Sequence, residues 1–299
     1  MTSCTKGRIA VVTGGNKGIG YCIVKTLCQK LKDEQGLVYL TARKEERGKT
    51  AINQLNQEGV HPAFHQLDIE SKDSVKRFAQ FLKTTHGGLD ILVNNAGIAY
   101  FTSPHTPLAL QARNTLDVNY FGTLNVCDEL LPLLRGKARV VNVSSGLGHL
   151  SKINGLEPAA SQLRDKLSSD NLNVEDLNRL VNDYIKFASE GTHKENGWPN
   201  SAYAVSKVAI TALTRIQQRG FDLRRPHDNI AVNAVHPGWV QSDMTGGKGI
   251  YNTEEGSEAP VYAALLPDSA DVPKGQYIWR DKSVTDWVDK RSIADKHKT

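Results

Sequence analysis

Apolar runs rich in β-branched residues recur along the chain, and helical spacing fills most of the stretches between them. Strands are predicted at 8–13, 37–42, 62–67, 90–94, 138–144, 230–235 and about 275–279, and helices near 18–32, 45–57, 71–85, 108–134 and 201–224. The runs LVYLTA (37–42) and ARVVNV (138–143) are nearly continuous rather than alternating, which marks strands buried on both faces. Strict β–α alternation makes the sheet parallel, with right-handed crossovers. The fold class is therefore α/β: a doubly wound, Rossmann-type parallel sheet in a single domain, 1–299.

One region breaks the rhythm. From 147 to 200 the chain turns polar, and within it Leu177, Leu180, Val181, Tyr184 and Ile185 recur at helical spacing after an Asx-type start at Asn173. This predicts a helical insertion of one or two helices with its charged face in water. Three roles suit it: plain surface structure, cover for a face otherwise used to pair subunits, or a roof over a site.

Composition narrows the class. The chain has 299 residues, 39% hydrophobic and 23% charged, an ordinary globular balance with a core to bury. The net charge of +5 is scattered and mixed in sign, so it describes a solvated surface and no nucleic-acid face. The four cysteines (Cys4, Cys22, Cys28, Cys127) lack metal-ligand spacing, and Cys22 and Cys28 are expected on the packed side of a helix. No metal site is expected. The N-terminus lacks a signal-like apolar stretch and no run approaches a membrane span, so the expected location is cytoplasmic.

The stretch TGGNKGIG (13–20) joins the first strand to the first helix, where free N–H groups and the helix dipole converge into an anion site. Gly14 permits the turn, Gly18 admits a pyrophosphate, and Gly20 lets the helix pack against the sheet. The spacing, G-x-x-x-G-x-G, differs from the common dinucleotide fingerprint. After the second strand, where an NAD site typically carries an acidic residue, this chain has Arg43 and then Arg47, with Lys17 in the glycine loop. A guanidinium grips a 2′-phosphate that a carboxylate would repel, so the expected cofactor is NADPH/NADP+. Asp68, past the third strand, suits an adenine neighbour, a cap for the following helix, or both.

Tyr203 and Lys207 open a predicted helix at i, i+4 and share one face. The pair gains meaning from Ser145, at the carboxyl end of a strand, the side of such sheets where ligands bind. An adjacent ammonium is expected to lower the phenol's pKa, and the lysine could also hold a ribose. The serine would then hydrogen-bond a carbonyl oxygen.

TGGNKGIG, NNAG (94–97), VNYFGT (118–123), VVNVSS (140–145), YAVSK (203–207) and HPGWV (236–240), in this order, resemble the short-chain dehydrogenase/reductase family over about residues 7–280. Within it the chain is most similar to the monomeric carbonyl reductases, which use NADPH and carry a helical insertion over the face through which other members oligomerise. The resemblance implies reduction of carbonyl compounds (quinones, aldehydes, ketones), with Tyr203 as general acid and Lys207, Ser145 and Asn119 completing the set. Asn119 would kink its helix and hold a water linking Lys207 to solvent, and Ser144 would only pack.

The implied cofactor contacts are Asn16 and Ile19 beside the loop glycines, Ile69 beside Asp68, Asn95 of NNAG, and Val240, Gln241 and Ser242 over the nicotinamide. Ser242 stands where the family usually has Thr. Tyr100, Phe101, Thr102, Gln111, Leu147 and Trp239 are expected around the substrate, which is a small carbonyl compound. Two other readings are an NAD(P)-dependent oxidation of a specific secondary alcohol and a non-catalytic dinucleotide sensor. His236 is expected to be structural, and the protein to be a monomer.

Overall fold

The computed structural model describes residues 7–289 and 291. Strands β1 (Ile9–Val12), β2 (Leu37–Ala42), β3 (Ala63–Gln66), β4 (Leu89–Asn94), β5 (Leu134–Val143), β6 (Ala231–Val235), β7 (Tyr277–Ile278) and β8 (Val284–Thr285) form one sheet in the order β3-β2-β1-β4-β5-β6-β7-β8. All neighbours pair parallel except β7 and β8, which pair antiparallel. The seven predicted strands pair parallel as expected, and the antiparallel edge strand β8 is an addition to them. The hairpin that ends the sheet has two residues in each strand, too few to leave an apolar period in the sequence.

Alternate residues of each central strand face opposite layers. Ala10 and Val12 pack with α1 (Gly18–Leu31), α2 (Glu45–Gln57) and α9 (Thr253–Ala264), whereas Ile9 and Val11 face α3 (Lys72–His86) and α5 (Thr123–Leu130). α9 did not register in the sequence pattern. It contains Gly256 and Pro260, and it starts from a reciprocal cap between Asn252 and Glu255. Cys22 lies buried in α1 and Cys28 is half-buried, while Cys4 lies outside the described residues.

The long helix expected over 108–134 is four segments, the last a 3-10 turn at Leu131–Leu133, and Leu134 already begins β5. α4 (Leu108–Leu116) runs into a six-residue π-helical turn (Asp117–Gly122) and then α5. The π-helical turn is one short i→i+5 segment between two α-helices, too local to stand out in a hydrophobic period.

The 147–200 region holds α6 (Ala159–Ser168) and α7 (Val174–Glu190). Asn173 caps α7, its side chain accepting the Asp176 N–H at 2.9 Å. Leu177, Val181, Tyr184 and Ile185 are buried in a cluster shared with α4 and α8 (Ala202–Arg224), and Leu180 packs at its margin. Leu177 is fully buried there, so Leu177→Ala should cost about 3 kcal/mol through lost transfer energy and a residual cavity. A urea unfolding curve reads this, and a loss below about 1 kcal/mol would contradict the packing described.

Candidate active site

Thr13 follows β1 and organises the glycine turn: its Oγ1 accepts the N–H of Asn95 at 2.9 Å and of Ala96 at 3.0 Å. Asn95 returns the contact, donating from Nδ2 to the Thr13 carbonyl at 2.9 Å and the Gly14 carbonyl at 3.2 Å. Gly14 and Gly18 sit at φ +64° and +58°, where a side chain is strained. A Cβ on Gly18 would meet open space, so its backbone faces the cleft bare.

Gly20 has a different reason from the one expected. A Cβ there would come within 2.4 Å of both Asn95 Nδ2 and the Gly14 carbonyl oxygen, so the strap across the turn demands glycine, not the sheet. α1 opens at this turn with Lys17 as its N-cap residue, which provides no side-chain cap, and with no acidic residue in its first turn. That leaves the positive helix end facing the cleft.

The cleft holds about 670 Å³ and brings together Gly14, Asn16, Lys17, Gly18, Ile19, Gly20, Arg43, Arg47, Asp68, Ile69, Asn95, Gln241 and Ser242. The bare helix start at one end and Arg43, Lys44 and Arg47 at another fit a ligand with separate phosphate groups. Of the predicted contacts, Val240, Tyr203 and Lys207 do not line the cleft, and Val240 is buried and bridged to Tyr251. Three acidic residues also line the space: Asp68, Glu70 and Asp243. Arg43 lies 3.6 Å from Glu70, and Lys17 reaches Asp243 at 2.7 Å. Glu70 and Asp243 were missed, although each directly follows a residue of the expected set. Asp68 does not cap α3; Ser71 does, accepting the Ser74 N–H at 3.2 Å.

Ser145, Tyr203 and Lys207 meet beside this cleft. Ser201 caps α8, accepting the Ala204 N–H at 3.2 Å, so Tyr203 lies in the first turn and Lys207 one turn on. The Tyr203 hydroxyl lies near enough to the Ser145 side chain for the serine to act on its ionisation. Lys207 is buried, its Nζ donates to the Val143 carbonyl at 2.7 Å, and it stands 5.5 Å from the centre of the Tyr203 ring.

The expectation that the ammonium lowers the phenol is not met in the free protein. Burial pushes Tyr203 up to about 12, with Ser145 pulling part of the way back, and pushes Lys207 down to about 8. Desolvation is the largest cause for both groups, and the ammonium is committed to the Val143 carbonyl. A phenol that stays protonated at neutral pH is in the right state to give a proton.

Asn119 sits in the π-helical turn. Its Oδ1 accepts the Ile98 N–H at 2.8 Å, and its Nδ2 donates to the Ile98 carbonyl at 2.9 Å and to Ser206 Oγ at 3.0 Å. It thereby ties the loop after β4 to α8. Ser144 is buried against α8, with the Lys207 carbonyl at 3.2 Å and Thr211 Oγ1 at 2.9 Å, which is a packing position. His236 accepts the Gly146 N–H at 2.8 Å and packs on Trp279, a structural role.

The expected substrate residues divide. Phe101 lies edge-on to Tyr203 with ring centres 5.0 Å apart, and Leu147 donates its N–H to Ser145 Oγ at 3.2 Å. Trp239 is exposed, and exposed Ile250, absent from the expected set, bonds back to its carbonyl. The Tyr100 hydroxyl accepts from Asn114, Gln111 is committed to the Thr106 carbonyl, and Thr102 lines the cleft.

Residues 8–162 match the family model described as short chain dehydrogenase. The chain is 46% identical to carbonyl reductase (NADPH) 1 of Mus musculus over 93% of its own length and 98% of the relative's. It is 46% identical to carbonyl reductase (NADPH) 3 of Rattus norvegicus over 96% and 100% of the two chains. The solved structure of salutaridine reductase from Papaver somniferum superposes with TM-score 0.78 at 34% identity, covering 90% of this chain and 99% of that one.

An ultraviolet difference titration should show a phenol, present in the wild type and missing from Tyr203→Phe, that ionises only near pH 12. Ionisation of that phenol below its ordinary value of 10.0 would overturn the burial argument.

Proposed function

The chain belongs to the short chain dehydrogenase family, and from that premise we propose that it reduces carbonyl compounds to alcohols with NADPH. The observation that carries the reading is the meeting of Ser145, Tyr203 and Lys207 beside a cleft lined by Lys17, Arg43 and Arg47. Relatives named carbonyl reductase (NADPH), matched over nearly their whole length, support it.

When bound, the dinucleotide supplies a hydride for the carbonyl carbon. Ser145 Oγ hydrogen-bonds the carbonyl oxygen, and Tyr203 Oη gives that oxygen its proton. Lys207, buried and charged below its pKa, stabilises the phenolate left on Tyr203. Both amide hydrogens of Asn119 are committed, so its Oδ1 keeps one lone pair to accept from a water relaying a proton to Lys207. Phe101, edge-on to Tyr203, favours flat, apolar carbonyl compounds such as quinones and aryl ketones.

Lys17, Arg43 and Arg47 support NADPH over NADH as the reductant. The buried apolar face of α7 supports a monomer, since it covers α4 and α8. No helix among the described residues is long and apolar enough to cross a membrane. The free cysteines Cys22, Cys28 and Cys127 support a cytoplasmic location.

Steady-state turnover of quinones with NADPH tests the whole reading. Tyr203→Phe should lower kcat at least about a hundredfold while NADPH still binds; equal turnover would remove the acid assignment. Arg43→Ala should weaken NADPH binding about tenfold and leave NADH unchanged, as loss of a charged hydrogen bond to a 2′-phosphate requires. Tighter binding of NADH than NADPH by the wild type would overturn the cofactor reading.

Lys207 must carry its proton to hold a phenolate. The reductive rate should therefore be full below pH 8 and fall as pH rises through about 8, where Lys207 loses its charge. A pH–rate profile that rises across that range would contradict this.

A further inference from the structure

Ser145 is held at both ends. Its Oγ meets Tyr203 and accepts the Leu147 N–H, while its main-chain carbonyl accepts the Gly148 N–H at 2.7 Å and the Tyr277 hydroxyl at 2.5 Å. Tyr277 comes from β7, is fully buried, and packs its ring near His149 and Trp279. Burial raises its phenol well above the ordinary range, with the nearby Tyr203 adding to the rise, so it remains a donor at any working pH.

The chain just past β8 returns onto the same loop. Trp287 Nε1 donates to the Gly148 carbonyl at 2.7 Å, the Leu150 N–H donates to the Trp287 carbonyl at 3.3 Å, and His149 Nε2 meets the Asp286 carbonyl at 2.9 Å. Residues from the carboxyl end of the sheet therefore fasten the loop on which Ser145 sits.

We infer that Tyr277 is a positioning residue for carbonyl reduction: by donating to the Ser145 carbonyl, its hydroxyl fixes where the Ser145 side chain meets Tyr203 and the substrate. The inference rests on the reduction proposed above. Packing alone does not account for the hydroxyl, because phenylalanine would fill nearly the same volume. The Ser145 carbonyl does not demand it either, having the Gly148 N–H already. What the second donor adds is restraint, since a carbonyl held from two directions cannot swing within its turn.

The test is a double-mutant cycle on the full chain, with turnover of a quinone by NADPH as one readout and amide hydrogen exchange as the other. Tyr277→Phe should lower kcat roughly three- to tenfold, the range of one net hydrogen bond, with KM for NADPH and thermal stability little changed. In a Ser145→Ala background the same substitution should have no further effect on kcat, because no hydroxyl is left to aim. An equal loss in both backgrounds would mean a packing role and would overturn the inference.

Exchange at the Gly148 amide should be faster in Tyr277→Phe than in the wild type, with no substrate present; unchanged exchange would also overturn it. If the wild type reduces no quinone, ketone or aldehyde with NADPH, the proposed function fails by itself. The exchange readout then still decides whether Tyr277 restrains Ser145.

Discussion

A buried ammonium sets the geometry of the site. Lys207 enters the interior on α8 and donates to the carbonyl of Val143, the last residue of β5. Two residues beyond that carbonyl stands Ser145, and one helical turn before Lys207 stands Tyr203. A single hydrogen bond between a charged donor and a strand end therefore fixes the helix face that carries the phenol against the strand end that carries the serine. Leaving the ammonium unpaired at that depth would cost several kcal/mol, so the contact resists sliding of α8 along β5. The neighbourhood leaves no slack: a Cβ on Gly148 would come within 2.2 Å of Ser144 Oγ and 2.9 Å of the Lys207 carbonyl oxygen.

From that anchor the remaining parts follow as supports. Asn94 links β4 to β5 by donating to Asn142 at 2.8 Å, and Asn142 in turn donates to Thr214 and Gln217 on α8. The next residue, Asn95, straps the glycine turn. NNAG thus faces two ways, with one asparagine joining sheet to helix and its neighbour holding the glycine turn. The π-helical turn widens the backbone where Asn119 reaches both Ile98 and Ser206, so the loop after β4 and α8 are fixed to each other near Lys207. The cleft floor and the Tyr203 helix are tied together by the same few contacts.

How much of this the sequence disclosed depends on whether a feature is periodic or local. β2, α2 and α7 were legible because burial on a face repeats with the element's own period. Ser145, Tyr203 and Lys207 were legible because chemistry, spacing and position at a strand end coincide. Gly20 was read as a sheet contact because nothing local says that Asn95, seventy-five positions on, crosses the turn. β8 is too short for a period, and α9 hides behind Gly256 and Pro260. Tyr277 was read only as part of a strand, for its role depends on which carbonyl its hydroxyl meets. The sign of the Tyr203 shift also needed coordinates, because burial and a nearby cation act in opposite directions and only geometry ranks them.

The ion pairs across the cleft bear on the proposed phosphate contacts. Lys17 with Asp243 and Arg43 with Glu70 are pairs between largely exposed groups, with 60% and 62% of the basic side chains accessible. Such pairs are worth about 0–1 kcal/mol, since water screens both partners and the long side chains lose entropy in meeting. A phosphate offers each cation two charges and several acceptor oxygens, so exchanging the carboxylate for it costs little and gains more. The acidic residues therefore hold Lys17 and Arg43 near their stations without competing for a bound phosphate. A buried pair in the same place would have to be broken at several kcal/mol, so the exposure of these pairs is what makes them compatible with a binding site.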